Sequence, residues 1–213
     1  GRNGGIDMAV QGASKETIVR SRTVSLRDIH IAKVTSNTES DYTTETPIKL
    51  ARAITAKITD EREAEKIYSD DAVEDVNISY KGTTVELEVN SLAPQDKALI
   101  FGHLYEKGFL TKNKDDRPSE VAIGWRAKKL NGKYEFKWLY CGMFDQGFED
   151  NYETEGEKKT TQTATLKGDF YARQLDGVYE NGVDESNLLA EHTEAAAAIK
   201  NWFSKVQEKS ATA

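Results

Sequence analysis

Apolar and polar residues alternate along much of the chain, and a period of two predicts strands. Ser21–Val34 is the first, rich in β-branched residues. Ile48–Ile58 is a second, with Leu50, Ile54, Ala56 and Ile58 on one face, where Arg52 is the exception, and Ala51, Ala53, Thr55 and Lys57 on the other. Val76–Asn90 predicts a hairpin turning at Lys81-Gly82. Val76, Ile78 and Tyr80 alternate before that turn and Val85, Leu87 and Val89 after it, with Asn77, Ser79, Glu86 and Glu88 opposite. Val121–Lys129 and Tyr134–Phe144 predict another hairpin around Asn131-Gly132. Tyr134, Phe136, Trp138, Tyr140 and Phe144 line one face of it, and Thr160–Tyr171 is a further strand.

Helical spacing occurs twice. Ser91–Tyr105 has Pro94 near its first turn, Asp96 beside the N-terminal dipole and an apolar stripe of Leu99, Ile100 and Leu104. Asp184–Gln207 carries Ala195 to Ala198, Ile199, Trp202, Phe203 and Val206 at helical positions. Thr59–Asp75 is ambiguous, since its EREAEK stretch suits a short helix or a solvated loop. Thr35–Pro47, Lys107–Pro118 and Asp145–Glu157 are polar enough to read as loops, and the first buries nothing but Tyr42. The fold class is mainly β, a sandwich with a flanking α-helix and a C-terminal helix. With no repeat and no βαβ alternation, a parallel sheet is disfavoured. One β-sandwich domain spans 21–207, between a flexible arm over 1–20 and a flexible tail over 208–213. Gly1–Ala13 is Gly-rich and polar and does not read as a signal peptide. Met8-Ala9 reads as a natural start, and Gly1–Asp7 as an expression scar or the remnant of a processed leader.

Composition narrows the function classes. The 213 residues carry 29 Lys plus Arg and 36 Asp plus Glu, a net −7. That balance disfavours a general binder of duplex DNA, which needs basic side chains against phosphate. No apolar run approaches the roughly 20 residues of a helical bilayer span. The single cysteine, Cys141, allows no intramolecular disulfide and no cysteine-based zinc site, and its aromatic strand suits a buried, inert thiol. His30, His103 and His192 lie in separate elements with no metal-ligand spacing. Asp70-Asp71 and Glu149-Asp150 could serve as paired carboxylates for acid–base work, but neighbours on a strand or loop normally point apart and solvated acidic loops are common. No phosphate-binding glycine loop or nucleophile elbow is present. The expectation is no enzyme, no cofactor and no metal. Trp125, Tyr134, Phe136, Trp138 and Tyr140 would suit stacking on a sugar or a base, but their spacing equally suits a sheet packed on a helix, and core is the favoured reading.

Several segments resemble one family. SRTVSLRDIHIAKV at Ser21–Val34 and YTTETPIKLARAI at Tyr42–Ile54 are similar to the major tail proteins of long-tailed bacteriophages, the phi13-type family. So are YSDDAVE from Tyr68, VELEV from Val85, KNKDD from Lys112, KKLNGKY from Lys128 and NWF from Asn201. The resemblance runs from about Ser21 to about Phe203, and the longer N-terminus departs from it. It implies a tail tube subunit: a structural virion protein whose β-sandwiches form hexameric rings that stack into a hollow tube. Inner sheets of neighbours would join into one continuous β-barrel. The tube would conduct DNA to the host cell without binding it specifically. The implied partners are further copies of the chain, the tape-measure protein, and the tail terminator and distal tail proteins, with no membrane. Assembly would take place in the bacterial cytoplasm, and the tail would be flexible and non-contractile.

On that reading the polar face carrying Glu86 and Glu88, with Thr55 and Lys57 beside it, lines the lumen. The 35–47 loop, at Thr38, Glu39, Asp41, Tyr42 and Thr43, bridges stacked rings. The rival reading is a monomeric carbohydrate- or ligand-binding β-sandwich that uses the aromatic hairpin. A hydrolase built on acidic pairs is the remote third.

Overall fold

The structure, a computed structural model, describes residues 18–211 other than 51–52, 71, 146, 151, 153, 155 and 157–162. The arm expected at the N-terminus therefore lies outside the described residues through 17, as do Ala51, Arg52, Asp71 and the first residues of the strand expected from Thr160. The strands are β1 (Thr23–Asn37), β2 (Tyr42–Thr44), β3 (Ile48–Lys49), β4 (Ala53–Ser69) and β5 (Ala72–Val89). After helix α1 (Pro94–Phe101) come β6 (Leu104–Glu106), β7 (Phe109–Thr111), β8 (Val121–Lys129), β9 (Tyr134–Met143), β10 (Phe148–Asp150), β11 (Ala164–Tyr171) and β12 (Glu180–Asp184). A 3₁₀ turn (Glu185–Asn187) and helix α2 (Thr193–Lys200) follow.

One antiparallel sheet, β2-β1-β8-β9-β11-β5-β4, bends into two facing halves. The bend sits where β9 changes partner. Its residues Glu135–Leu139 pair with β12, whereas Cys141–Met143 pair with β11. β11 then carries β5 on one edge and β10 on the other, so β4-β5-β11-β10 forms a four-stranded half. Between the halves lie Ile29, Ile31, Ile123 and Leu139 from one side and Val85, Leu87, Leu166 and Phe170 from the other, closed at one end by Ile100 of α1. The outer face of β8 and β9 forms a second core of Phe136, Trp138, Tyr140 and Cys141, covered by Ile199, Trp202, Phe203 and Val206. Here the indole of Trp138 donates to the Trp202 carbonyl at 3.1 Å and the indole of Trp202 donates to the Lys137 carbonyl at 3.2 Å. Glu208 pairs with Arg173 and the Ser210 amide donates to Glu194 at 2.7 Å, so the chain is held to the domain through Ser210.

The β8–β9 hairpin forms as its Asn-Gly turn predicts, with Gly132 at φ 82. Gly124 stands opposite Trp138, and a Cβ there would lie 2.6 Å from the indole ring. The aromatic residues are core, as expected, but Phe144 does not share the face of Phe136, Trp138 and Tyr140. A bulge around Tyr140-Cys141 inserts one residue against β8, flips the alternation and sends Phe144 to the inner core.

Other expectations need correction. Val76–Asn90 is not a hairpin. β5 runs unbroken from Ala72 to Val89, and Lys81-Gly82 forms a bulge opposite Glu61 and Arg62. The ambiguous Thr59–Asp75 is neither helix nor loop, since β4 extends through it to Ser69 and turns directly into β5. Ile48–Ile58 divides between β3 and β4, and a bulge at Ile54 leaves that residue half-exposed while Ala56 and Ile58 face the core. Thr35–Pro47 is not a loop throughout: β1 continues to Asn37 and β2 folds back on it. The helix expected over Ser91–Tyr105 ends at Phe101, where Gly102 at φ 70 caps it, and Leu104 lies exposed on β6. Lys107–Pro118 contributes β7, and the acidic 145–157 stretch contributes β10. The C-terminal helix is shorter than Asp184–Gln207, because Asp184 caps the 3₁₀ turn and α2 begins only at Thr193.

Candidate assembly surface

The β4-β5-β11-β10 half has one face on the core and one face on solvent. Register places Thr55, Glu88, Thr165 and Glu149 in one row across its four strands. Lys57, Glu86 and Lys167 form the next row, and Thr59, Thr84 and Asp169 a third. The four residues singled out from sequence, Thr55, Lys57, Glu86 and Glu88, are thus brought together on adjacent strands, with Thr55 donating to Glu88 at 3.4 Å. Glu61, Glu63 and Glu65 continue the same face of β4. Counting these described residues, seven carboxylates (Glu61, Glu63, Glu65, Glu86, Glu88, Glu149 and Asp169) share the face with three ammonium groups (Lys57, Lys167 and Lys81, which lies 3.9 Å from Glu63), so 3 − 7 gives −4. Sequence reasoning missed Glu61, Glu63 and Glu65, although their own period of two inside EREAEK was the strand signal.

Among the described residues, both lateral edges of this half are open. Among the described elements, β4 pairs only with β5 and β10 only with β11. Such edges are templates for pairing with another chain. Beyond Arg62 and Tyr80, where Tyr80 stacks on Tyr179 with centroids 3.8 Å apart, β4 and β5 leave the domain as a two-stranded arm. Every described residue of the arm from Glu63 to Ser79 is exposed.

The 38–43 segment is a tight turn over Thr38–Asp41 between β1 and β2, followed by the first residues of β2. Thr38, Glu39 and Asp41 are exposed, and the Thr38 amide donates to the Asp41 carbonyl at 2.8 Å. Thr43 shares a 2.7 Å hydroxyl contact with Thr35. Tyr42 is turned inward: its hydroxyl donates to the Tyr140 carbonyl, and burial pushes its pKa well above the usual phenol value. Arg173 lies over both rings, 5.0 Å from Tyr42 and 4.5 Å from Tyr140, and grips Asp176 at 2.7 and 2.8 Å. One buried guanidinium therefore ties this turn to β9 and to Glu208 of the C-terminal segment.

The single cysteine and the three histidines are held in structural contacts. Burial pushes the Cys141 thiol up to about 12, far from a nucleophile's range. His30 stacks on Phe203 at 4.1 Å, His103 meets Asp116 at 2.7 Å, and His192 accepts from the Leu189 amide at 3.1 Å. Asp150 pairs with Lys97 at 2.9 Å while Glu149 faces the opposite side, so these neighbours do not converge. No cluster of three metal-ligating side chains occurs among the described residues. Trp138 and Tyr140 are fully buried, so the aromatic face that a ligand-binding sandwich would use lies beneath the C-terminal segment. A cleft of about 760 Å³ separates β1 from β4, lined by Val24–Ile29, Lys49, Leu50 and Ala53–Ala56, and among these described residues Arg27, Asp28 and Lys49 carry charge.

No curated protein matches the chain. Residues 32–198, more than three quarters of its length, match the family model described as phage tail tube protein. The match begins inside β1 and ends inside α2, so it takes in both halves of the sheet and the arm. On that match, the chain belongs to the phage tail tube protein family.

Proposed function

We propose that the chain is the repeating subunit of a phage tail tube, that it closes into hexameric rings through the edges of its β4-β5-β11-β10 half, and that the rings stack around a DNA conduit. The observation that carries this is a four-stranded half-sheet with a polar, acidic outer face and, among the described residues, two unpaired edges. Edge pairing around a ring removes both edges. Six copies supply 24 strands. At about 4.8 Å per strand and a tilt of about 40°, the barrel has a circumference of about 150 Å and a backbone diameter of about 48 Å. That leaves room for a duplex.

The charge of the face sets how the wall treats DNA. Screening confines repulsion to about 10 Å at 0.1 M salt, less than the tube radius. A duplex near the wall is pushed off and one on the axis is not, so DNA is centred without being held. Thr55, Lys57, Glu86 and Glu88 are lumenal on this reading. The 38–43 turn is an exposed contact between stacked rings, with Tyr42 and Arg173 fixing its base. The tape-measure protein fills the lumen before DNA does, and the tail terminator and distal tail proteins meet the two ends of the stack. Negative-stain microscopy of the purified chain at high concentration tests the reading: rings or hollow tubes support it, and a monomer that stays monodisperse even with a tail initiator present overturns it.

A further inference from the structure

Two exposed apolar features lie on separate parts of the chain. The first is on the arm. On its core-side face, cross-strand pairs place Ala64 opposite Ile78, Lys66 opposite Val76, and Tyr68 opposite Val73. Tyr68 is 64% exposed and Ile78 61%, with Val73 and Val76 about half exposed. The other face of the same arm carries Glu63, Glu65, Asn77, Ser79 and Asp75, with Ile67, 48% exposed, as its one large apolar residue. A two-stranded ribbon with a bare apolar stripe is marginal in water and calls for a cover.

The second feature is the β6–β7 hairpin, a small knob turning at Lys107-Gly108. Phe109 is 74% exposed at its tip, and Leu104 and Tyr105 are exposed beside it. The base is rigid: Gly102 packs so closely on the Arg117 backbone that no Cβ fits, and His103 meets Asp116 at 2.7 Å. The knob segment carries Lys107, Lys112, Lys114 and Arg117 against Glu106, Asp115 and Asp116, so 4 − 3 gives +1, whereas the described arm residues carry Glu63, Glu65, Asp70, Glu74 and Asp75 against Lys66, so 1 − 5 gives −4. The two are of opposite net sign.

Reach decides which copies can meet. α1 holds the knob beside Phe148, where Phe101 and Phe148 lie 5.2 Å apart, and Phe148 shares a row with Leu166 and Leu87. Along β5 the stripe begins at Ile78 and ends at Val73, nine to fourteen residues from Leu87. At about 3.3 Å per residue that is about 30 to 46 Å. An arm therefore cannot cover the knob of its own chain, but it reaches the knob of a copy displaced by that distance along the strands.

The geometry points to the β6–β7 knob as the acceptor for the β4–β5 arm of a second copy in the next ring, with the Tyr68, Val73, Val76 and Ile78 stripe seated on Phe109 and Leu104. This inference rests on the tube reading above. The contact is head-to-tail, because donor and acceptor are different surfaces, so it propagates instead of closing on itself.

The test mixes two full-length variants, Ile78→Cys and Phe109→Cys, in a glutathione redox buffer, and resolves the products on a non-reducing gel while microscopy follows assembly. Cys141 is fully buried and stays silent. Heterodimer in at least fivefold excess over either homodimer supports the docking. Tubes that form with heterodimer at or below the statistical share leave the tube reading standing and overturn the docking. With a tail initiator present, no tubes and no heterodimer overturn both. Phe109→Asp is the companion variant: with an unchanged circular dichroism spectrum it raises the concentration needed for assembly at least tenfold, and an unchanged threshold refutes the docking.

Discussion

Replacing Arg173 with Met tests whether one guanidinium holds three parts of the chain together. The side chain is 6% exposed, bonded twice to Asp176 and once to Glu208, and stacked over Tyr42 and Tyr140. Both carboxylates are about two-fifths exposed, so their attraction is discounted for solvent. The bidentate Asp176 contact contributes about 1 kcal/mol and the Glu208 pair about 0.5 kcal/mol. The two ring contacts, facing a dry interior, contribute about 0.7 kcal/mol each. Met fills much of the vacated volume and keeps the apolar stem packed, so the cavity cost is small. The expected loss is about 3 kcal/mol, or about 6 to 12 °C in Tm for a chain of this size. Calorimetry measures the Tm, and limited proteolysis followed by mass spectrometry reads where the chain opens first. R173M should be cut earliest near Glu208, since Glu208 loses its partner. A Tm within 2 °C of the parent, or first cutting elsewhere, refutes the reasoning.

Gly124→Ala drives a methyl against the Trp138 indole and should cost about 1 to 3 kcal/mol with a shifted tryptophan emission; an unchanged urea midpoint contradicts the packing. Burial lowers the His30 pKa below 6.5, so the unfolded chain binds this proton first. Stability contributed by neutral His30 is full above pH 6.5 and falls as pH drops toward the lower folded value, and His30→Gln should flatten urea midpoints in that window. The Arg173 bonds hold the Asp176 carboxyl below 3.8, so its contribution is complete above that pH and is lost as pH falls through the lower folded value. Asp176→Asn should remove that part of the acid transition, read by circular dichroism. In assembled tubes, Glu86→Arg with Glu88→Arg should make DNA co-sediment at low salt and release it at high salt; equal sedimentation with the parent contradicts a lumenal position.

Sequence periodicity was most readable where one strand face is buried. Val121–Lys129 has the bounds read from its pattern, and the aromatic run of β9 is core because Phe136, Trp138 and Tyr140 keep strict alternation. It failed where a local sign has two structural outcomes. Lys81-Gly82 has the chemistry of a turn, but a bulge needs the same backbone freedom, and only the β4 partner decides between them. Glu61 to Lys66 carries helix formers, yet both faces are wet, so propensity had no burial to confirm it. The four lumenal candidates were legible as one polar face. Glu149, Thr165 and Lys167 were not, because they join that face only through pairing with strands far away in sequence.

The central claim is that the acidic face of β4-β5-β11-β10 becomes the inner wall of a tube. Cryo-electron microscopy of assembled tubes tests it most directly, at a resolution where strands separate. The account predicts a continuous inner barrel of 24 strands, four per subunit, with Glu86 and Glu88 pointing at the axis. A tube whose inner wall is built from β1, β8 and β9 instead, with Glu86 and Glu88 on the outside, would contradict it.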